Sequence, residues 1–246
     1  MLGLGSGIAA AVRRMGAADG RPVTAVREAI AIIRAMLAGD SVTYRGRVFA
    51  VDGARLAFRP RRLHPPIYMA AAGERALRIC GEVADGLIIS NLTPPRSTER
   101  LAAIVGDAAT RAGRVMPRIV QYAPCAVGPD GNAARLAAKA AIGEMLTSFW
   151  PAGDDWPAAK QAIVGESGVP RREFSAALDR LRRGEDAAAV LDERFVAAFA
   201  IAGTPADCLY QAARYRTARV DELALTFSGA HPEADIACLA GSLDAV

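Results

Sequence analysis

The stretch Pro65-Pro66-Ile67-Tyr68-Met69-Ala70-Ala71-Ala72-Gly73-Glu74-Arg75-Ala76-Leu77-Arg78-Ile79-Cys80-Gly81-Glu82-Val83-Ala84-Asp85-Gly86-Leu87-Ile88-Ile89-Ser90-Asn91 decides the fold. Ile67 to Ala70 is a short uninterrupted apolar run, the pattern of a strand buried on both faces. Ala71, Ala72 and Gly73 carry almost no side chain, so the backbone can turn sharply and approach a ligand closely. A helix follows from Glu74 to Val83, with Ala76, Leu77 and Cys80 on one face. Asp85-Gly86 then turns the chain into a second apolar strand, Leu87 to Ser90. This is a strand-helix-strand unit of the parallel kind. Exposed amides at the helix start could hold a phosphate, although small residues also serve any strand that turns into a helix.

Working outward, Leu2 to Gly5 reads as a strand. Gly3, Gly5 and Gly7 resemble a dinucleotide fingerprint but lack its spacing and its distal acidic residue. Arg21-Pro22 opens a helix with Val26, Ile30, Ile33 and Leu37 on one stripe, ended by Gly39. Ser41 to Val51 reads as a hairpin turning at Arg45-Gly46. After Asn91, Pro94-Pro95 opens a helix to about Gly113, and a strand centred on Ile119 to Tyr122 follows. Asp130 caps a long helix, Ala133 to Phe149. Pro151 to Arg194 is the least regular part, its clearest helix being Arg171 to Arg183. Thr204-Pro205-Ala206-Asp207 is a capping-box start for a helix to Thr217. Leu223 to Phe227 is a strand, and Pro232 to Leu243 a closing helix.

Composition excludes several classes. Of 246 residues, 52% are hydrophobic and 23% charged, which describes a folded globular chain. The net charge of +4 rests almost wholly on arginine, since Lys139 and Lys160 are the sole lysines. The arginines interleave with acidic residues along helices, unlike a clustered nucleic-acid surface. Cys80, Cys125, Cys208 and Cys238 form no paired motif and read as buried thiols of a reducing compartment. The first residues do not form a signal peptide, and no apolar run reaches the roughly 20 residues of a membrane span. A cytoplasmic protein with no nucleic-acid or membrane partner is expected. Metal-ligand spacing, a serine elbow and a P-loop are all missing from the sequence.

The wording of the central stretch resembles the bacterial-luciferase-like flavin and deazaflavin oxidoreductases. The resemblance lies in Tyr68-x-Ala70-Ala71-x-Gly73 and in Ala84-Asp85-Gly86-x-Ile88-x-Ser90. It extends to Gly3-Leu4-Gly5-x-Gly7, to the run from Leu37 to Phe49, to Ala202 through Leu209, and to Val220 through Phe227. The branch it points to contains methylenetetrahydromethanopterin reductase and other enzymes using coenzyme F420. The resemblance implies an α/β (β/α)8 TIM barrel, with the chain as one partial-barrel domain, 1–246, and excursions at about 40–64 and 151–200. In flavin enzymes of this kind, the second excursion often covers the substrate side.

Five strands followed by helices are read in this sequence, and the resemblance makes them barrel strands four to eight. Roughly 100 residues carrying three earlier units would then be missing, at about 30 residues per unit. The expectation is that the natural polypeptide starts upstream, or that the chain is a remnant with open strand edges. By the resemblance, Ala71, Ala72 and Gly73 form the backbone phosphate turn, and Ser90 and Asn91 end the next strand at the same phosphate. Gly5, Ser6 and Gly7 approach the ring. Catalytic groups stay unassigned, because the first three strands supply many of them in this family. Arg75 either adds charge to the phosphate or faces solvent. His64 falls at the wrong end of a barrel, while His231 lies at the right end but reads as a surface or capping group. Asp85 and Asp221-Glu222 enter strands from the bottom and read as stability features. The resulting expectation is F420-dependent hydride transfer to or from a small organic substrate, in a homodimer. The alternatives are an FMN-dependent monooxygenase, an inactive binding or assembly module, and an NAD dehydrogenase using Gly3 to Gly7.

Overall fold

The computed structural model describes residues 1–16, 20–62, 64–153, 155–229 and 231–243. In chain order the elements are β1 (Leu2–Gly5), α1 (Ala9–Arg14), α2 (Pro22–Ala38), β2 (Val42–Arg45), β3 (Ala50–Ala54), β4 (Ile67–Ala70), α3 (Glu74–Val83) and β5 (Gly86–Ile89). They continue with α4 (Pro95–Arg111), β6 (Arg118–Val127), α5 (Gly131–Phe149), α6 (Ala158–Glu166), α7 (Arg171–Arg182), α8 (Ala187–Val190) and α9 (Glu193–Phe199). The last are β7 (Ile201–Gly203), α10 (Pro205–Thr217), β8 (Glu222–Phe227) and α11 (Pro232–Leu243). No helix among the described residues is long and apolar enough to cross a membrane. The chain divides into two compact units, Met1–Ile88 with Ala103–Arg118, and Ile89–Ala102 with Ile119–Val246.

In the first unit β1 pairs with β4 and β4 with β5, both in parallel, with Gly5 opposite Ala70 and Ala70 opposite Ile88. Ile67, Tyr68, Met69 and Leu87 are buried, as the apolar runs require. The face of α3 closes on α4 at Gly81, where an added Cβ would lie 2.4 Å from the Val105 carbonyl oxygen. On α2 the buried positions are Val26, Glu28, Ile30 and Ile32, whereas Ile33 and Leu37 of the expected stripe are half-buried. Glu28 is drawn inside by the hairpin. Its carboxylate accepts the N–H groups of Arg47 (2.7 Å), Val48 (3.0 Å) and Phe49 (2.9 Å). Those three amides explain why the hairpin turns through Gly46–Phe49 and not tightly at Arg45-Gly46.

In the second unit β6 pairs in parallel with β8 over Val120 to Cys125 and with β7 over Cys125 to Val127. The short strand β7 was not among those read from the sequence, because three residues, Ile201 to Gly203, give no periodicity to detect. Residues 151–200, expected as an excursion, contribute much of the apolar packing of this unit. Trp156, Phe174, Phe195 and Phe199 pack with Trp150 into the main apolar cluster of this unit. Apolar side chains of α6, α7 and α9 are buried there, whereas α8 has no buried residue. The end residues β1 and β8 were expected to be buried strands, yet Gly3, Gly5 and Thr226 are exposed. Among the described residues each of these two strands has a single strand neighbour.

Two aspartates fix where strands begin. The Asp85 carboxylate accepts the Ile67 N–H at 2.9 Å, and the Asp221 carboxylate accepts the Ile119 N–H at 2.7 Å. Each thus ties the start of one strand to the start of its neighbour, the structural role read for them in the sequence.

Candidate functional site

Gly5 stands level with Ala70, so the ends of β1 and β4 open side by side onto Ser6-Gly7 and Ala71-Ala72-Gly73. Gly7 takes a left-handed backbone (φ 69°), and a Cβ there would sit 2.9 Å from the Val12 side chain. Glycine is required at that turn. Ser6, Gly7, Ala72 and Gly73 are exposed, and Ala71 is half-buried.

Gly73 is the N-cap of α3 and offers no side-chain hydrogen bond to the first turn. Helix starts leave backbone amides unsatisfied, and a helix capped by glycine leaves them open to an external acceptor. The site has room for one, since a Cβ built on Gly73 meets nothing within 4 Å. A phosphate or carboxylate fits this cradle by charge and by geometry. Arg75, in the same first turn, is exposed.

Ser90 and Asn91 follow β5 directly. Ser90 is exposed and its hydroxyl donates only a long 3.4 Å hydrogen bond to the Asn91 carbonyl. It is therefore available to another acceptor. Asn91 is half-buried, and among the described residues its Oδ1 has no hydrogen-bond partner. Leu92 then adopts φ 60° while being buried, an uncommon conformation for a leucine. The residues that follow it are held by a polar network not foreseen from the sequence. Fully buried Gln121 on β6 donates to the Thr93 carbonyl (3.0 Å) and accepts from the Thr98 hydroxyl (2.6 Å). Ser97 and Arg100 both bind Glu166. Burial alone would raise the Glu166 carboxyl, but Arg100 and Ser97 hold it below the ordinary carboxylate range. The one available signal was a glutamine inside the apolar run Ile119-Val120-Gln121-Tyr122.

His64 and His231 are exposed. The His231 carbonyl accepts the Asp235 N–H in the first turn of α11. No group of three or more metal-ligating side chains occurs among the described residues.

Parallel strand-helix units with candidate ligand groups at the C-terminal ends of strands define an α/β protein of the TIM-barrel class. The chain belongs to the luciferase-like monooxygenase family, whose pattern matches residues 1–222. It is 32% identical over 232 residues to a 5,10-methylenetetrahydromethanopterin reductase from Methanolobus tindarius, covering 91% of this chain and 64% of that protein. The Archaeoglobus fulgidus protein of the same name is 30% identical over 213 residues, covering 85% of this chain and 61% of its own length. Among solved structures, the coenzyme F420 dependent tetrahydromethanopterin reductase from Methanopyrus kandleri superposes with a TM-score of 0.81 at 22% identity. That match covers 96% of this chain and 71% of the other. The chain thus spans less than two thirds of the length of these curated relatives. The fold is that of the luciferase-like TIM barrel, and the reading of Gly3 to Gly7 as a dinucleotide turn gives way to it.

Proposed function

We propose that the chain is an F420-dependent oxidoreductase of the luciferase-like family, moving a hydride between the deazaflavin and a small organic substrate. The observation that carries this reading is the glycine-capped start of α3. It follows β4 after the turn Ala71-Ala72-Gly73, and β4 ends at Ala70, level with Gly5; a helix start without a side-chain cap leaves its first amides open, with free space beside Gly73. Relatives and structural neighbours that are F420-dependent enzymes by name support F420 over FMN.

Ala71, Ala72 and Gly73 would hold the cofactor phosphate through backbone amides at the helix start. Ser90 and Asn91, directly after β5, would offer a hydroxyl and a side-chain amide to the cofactor. Gly5, Ser6 and Gly7 would lie along the ring, their small size allowing close approach. When bound, the deazaflavin supplies the hydride chemistry. The protein's task is to fix the phosphate, orient the ring and keep water from its face. The side chains that touch the reacting atoms are unassigned. We further propose that residues 1–246 act as one partial-barrel domain, in a homodimer, in the cytoplasm.

Equilibrium titration of the purified chain with F420 and, separately, with FMN tests the reading. Saturable F420 binding tighter than FMN binding is the expected result. Tighter FMN binding would favour the monooxygenase alternative. No saturable binding of either would favour a binding or assembly module without catalysis.

A further inference from the structure

We propose that the first unit carries a second anion site, unrelated to the cofactor turn, that takes the phosphate monoester of a small organic molecule. The site is a cavity of about 820 Å³ formed by α2, α3, the end of α4 and Tyr44 of the hairpin. That volume lies within the ordinary range for small-molecule sites, about 300 to 1,000 Å³. Its floor is apolar, with Ile30 and Ala108 buried beneath it. Its walls carry Arg27, Arg34, Arg78, Arg111 and Arg114 against a single acidic lining residue, Glu82.

These arginines are not equivalent. Arg34 and Arg114 are committed to structure, since both pair with Asp85 and donate to the carbonyls of Val83 and Ala84. They also cover the carbonyl end of α3, which would otherwise repel an anion. Arg27 pairs with Glu82 and Arg78 with Glu74, in exposed contacts of the kind worth little in water and readily exchanged. No carboxylate among the described residues pairs with Arg111. Three carboxylates, Glu74, Glu82 and Asp85, therefore serve five guanidinium groups. Two positive charges are left uncompensated over an apolar floor. A phosphate monoester, with close to two negative charges at neutral pH and oxygens suited to arginine forks, matches both features.

The cavity lies at the C-terminal end of α3, and Gly73 at its N-terminal end. Along α3 the lining residues Arg78, Glu82 and Val83 lie about 8 to 15 Å beyond Gly73, at 1.5 Å per residue. One small phosphate cannot serve both.

The test is calorimetric titration of phenyl phosphate and of inorganic phosphate at constant ionic strength. It uses protein carrying Gly73→Asp, which blocks the helix-start cradle with a carboxylate. The expected result is saturable binding of phenyl phosphate, tighter than inorganic phosphate because of the apolar floor. Adding Arg111→Gln should weaken it about tenfold or more, the effect of losing one charge-assisted hydrogen bond. Arg78→Gln, at an exposed position, should weaken it as well. Three results would each overturn the proposal: no saturable binding up to about 10 mM, equal affinity for the two probes, or an affinity that Arg111→Gln leaves unchanged. Because the cradle is blocked throughout, these outcomes say nothing for or against the cofactor reading.

Discussion

Single carboxylates decide much of the local geometry, and they were not equally legible in the sequence. Glu28 sits on a helix stripe where periodicity predicts a solvent-facing residue. Only the structure shows three hairpin amides converging on it. Hydrogen bonds from Phe49, Arg47 and Val48 hold its carboxyl below the ordinary range against the opposing effect of burial. Glu28→Gln is expected to loosen the β2–β3 hairpin, read as faster amide exchange at residues 47–49 with little change in α3. Asp85, in contrast, was legible, because Asp-Gly before an apolar run marks a strand entry. Burial would raise its carboxyl, yet the Ile67 amide, Arg34 and Arg114 together hold it low. A native pKa below the unfolded one means stability that is full above about pH 5 and lost as pH falls through the native value. Asp85→Ala should cost about 2 kcal/mol, a buried-pair loss reduced for partial exposure. It should also flatten the acid limb of a denaturation profile. Asp221→Ala, which removes one backbone hydrogen bond, should cost only about 1 kcal/mol.

Elements were read well where capping chemistry or apolar runs mark them, and poorly where packing alone decides. Thr204 and Asp207 form the expected reciprocal box, with Asp207 accepting the Thr204 N–H at 2.9 Å. Thr204→Ala should cost about 1 kcal/mol in chemical denaturation, with β7 and β8 otherwise intact. Asp130 likewise caps α5 through Asn132 and Ala133, as its position before the alanine-rich run indicates. The approach of α3 to α4 has no signature beyond one glycine in a helix. An alanine at Gly81 would place its Cβ 2.4 Å from backbone, so the helices must separate. Gly81→Ala should therefore cost about 2 to 3 kcal/mol by overpacking, despite its better helix propensity. Stabilisation on this substitution would show that the two helices can part without penalty. The strand β7 and the aromatic packing of α6 to α9 were hidden for related reasons. The strand is too short to show a period, and the helices are short segments whose packing partners lie far apart in the chain.

For the whole molecule, the parallel α/β plan could be read from five strand-helix repeats and from the phrases around Tyr68, Asp85 and Thr204. Part of the candidate site could be read as well. Small residues at Ala71 to Gly73 and the hydroxyl of Ser90 follow strands at the end where barrel sites form. What could not be read is the polar network that follows Ser90, because Gln121 reaches the Thr93 carbonyl and Glu166 reaches Ser97 from distant positions in the chain. The central claim is that the glycine-capped start of α3 binds the cofactor phosphate, and Gly73→Asp tests it most directly. Gly73 has an ordinary extended backbone (φ −81°, ψ 146°) with open space beside it, so aspartate fits without strain and can cap the helix itself. F420 titration of this variant beside the unaltered chain, with thermal melts of both, is the measurement. The account predicts equal or higher stability together with a loss of F420 affinity of at least about tenfold, from a carboxylate set against the phosphate. Undiminished F420 affinity in a well-folded Gly73→Asp protein would contradict it.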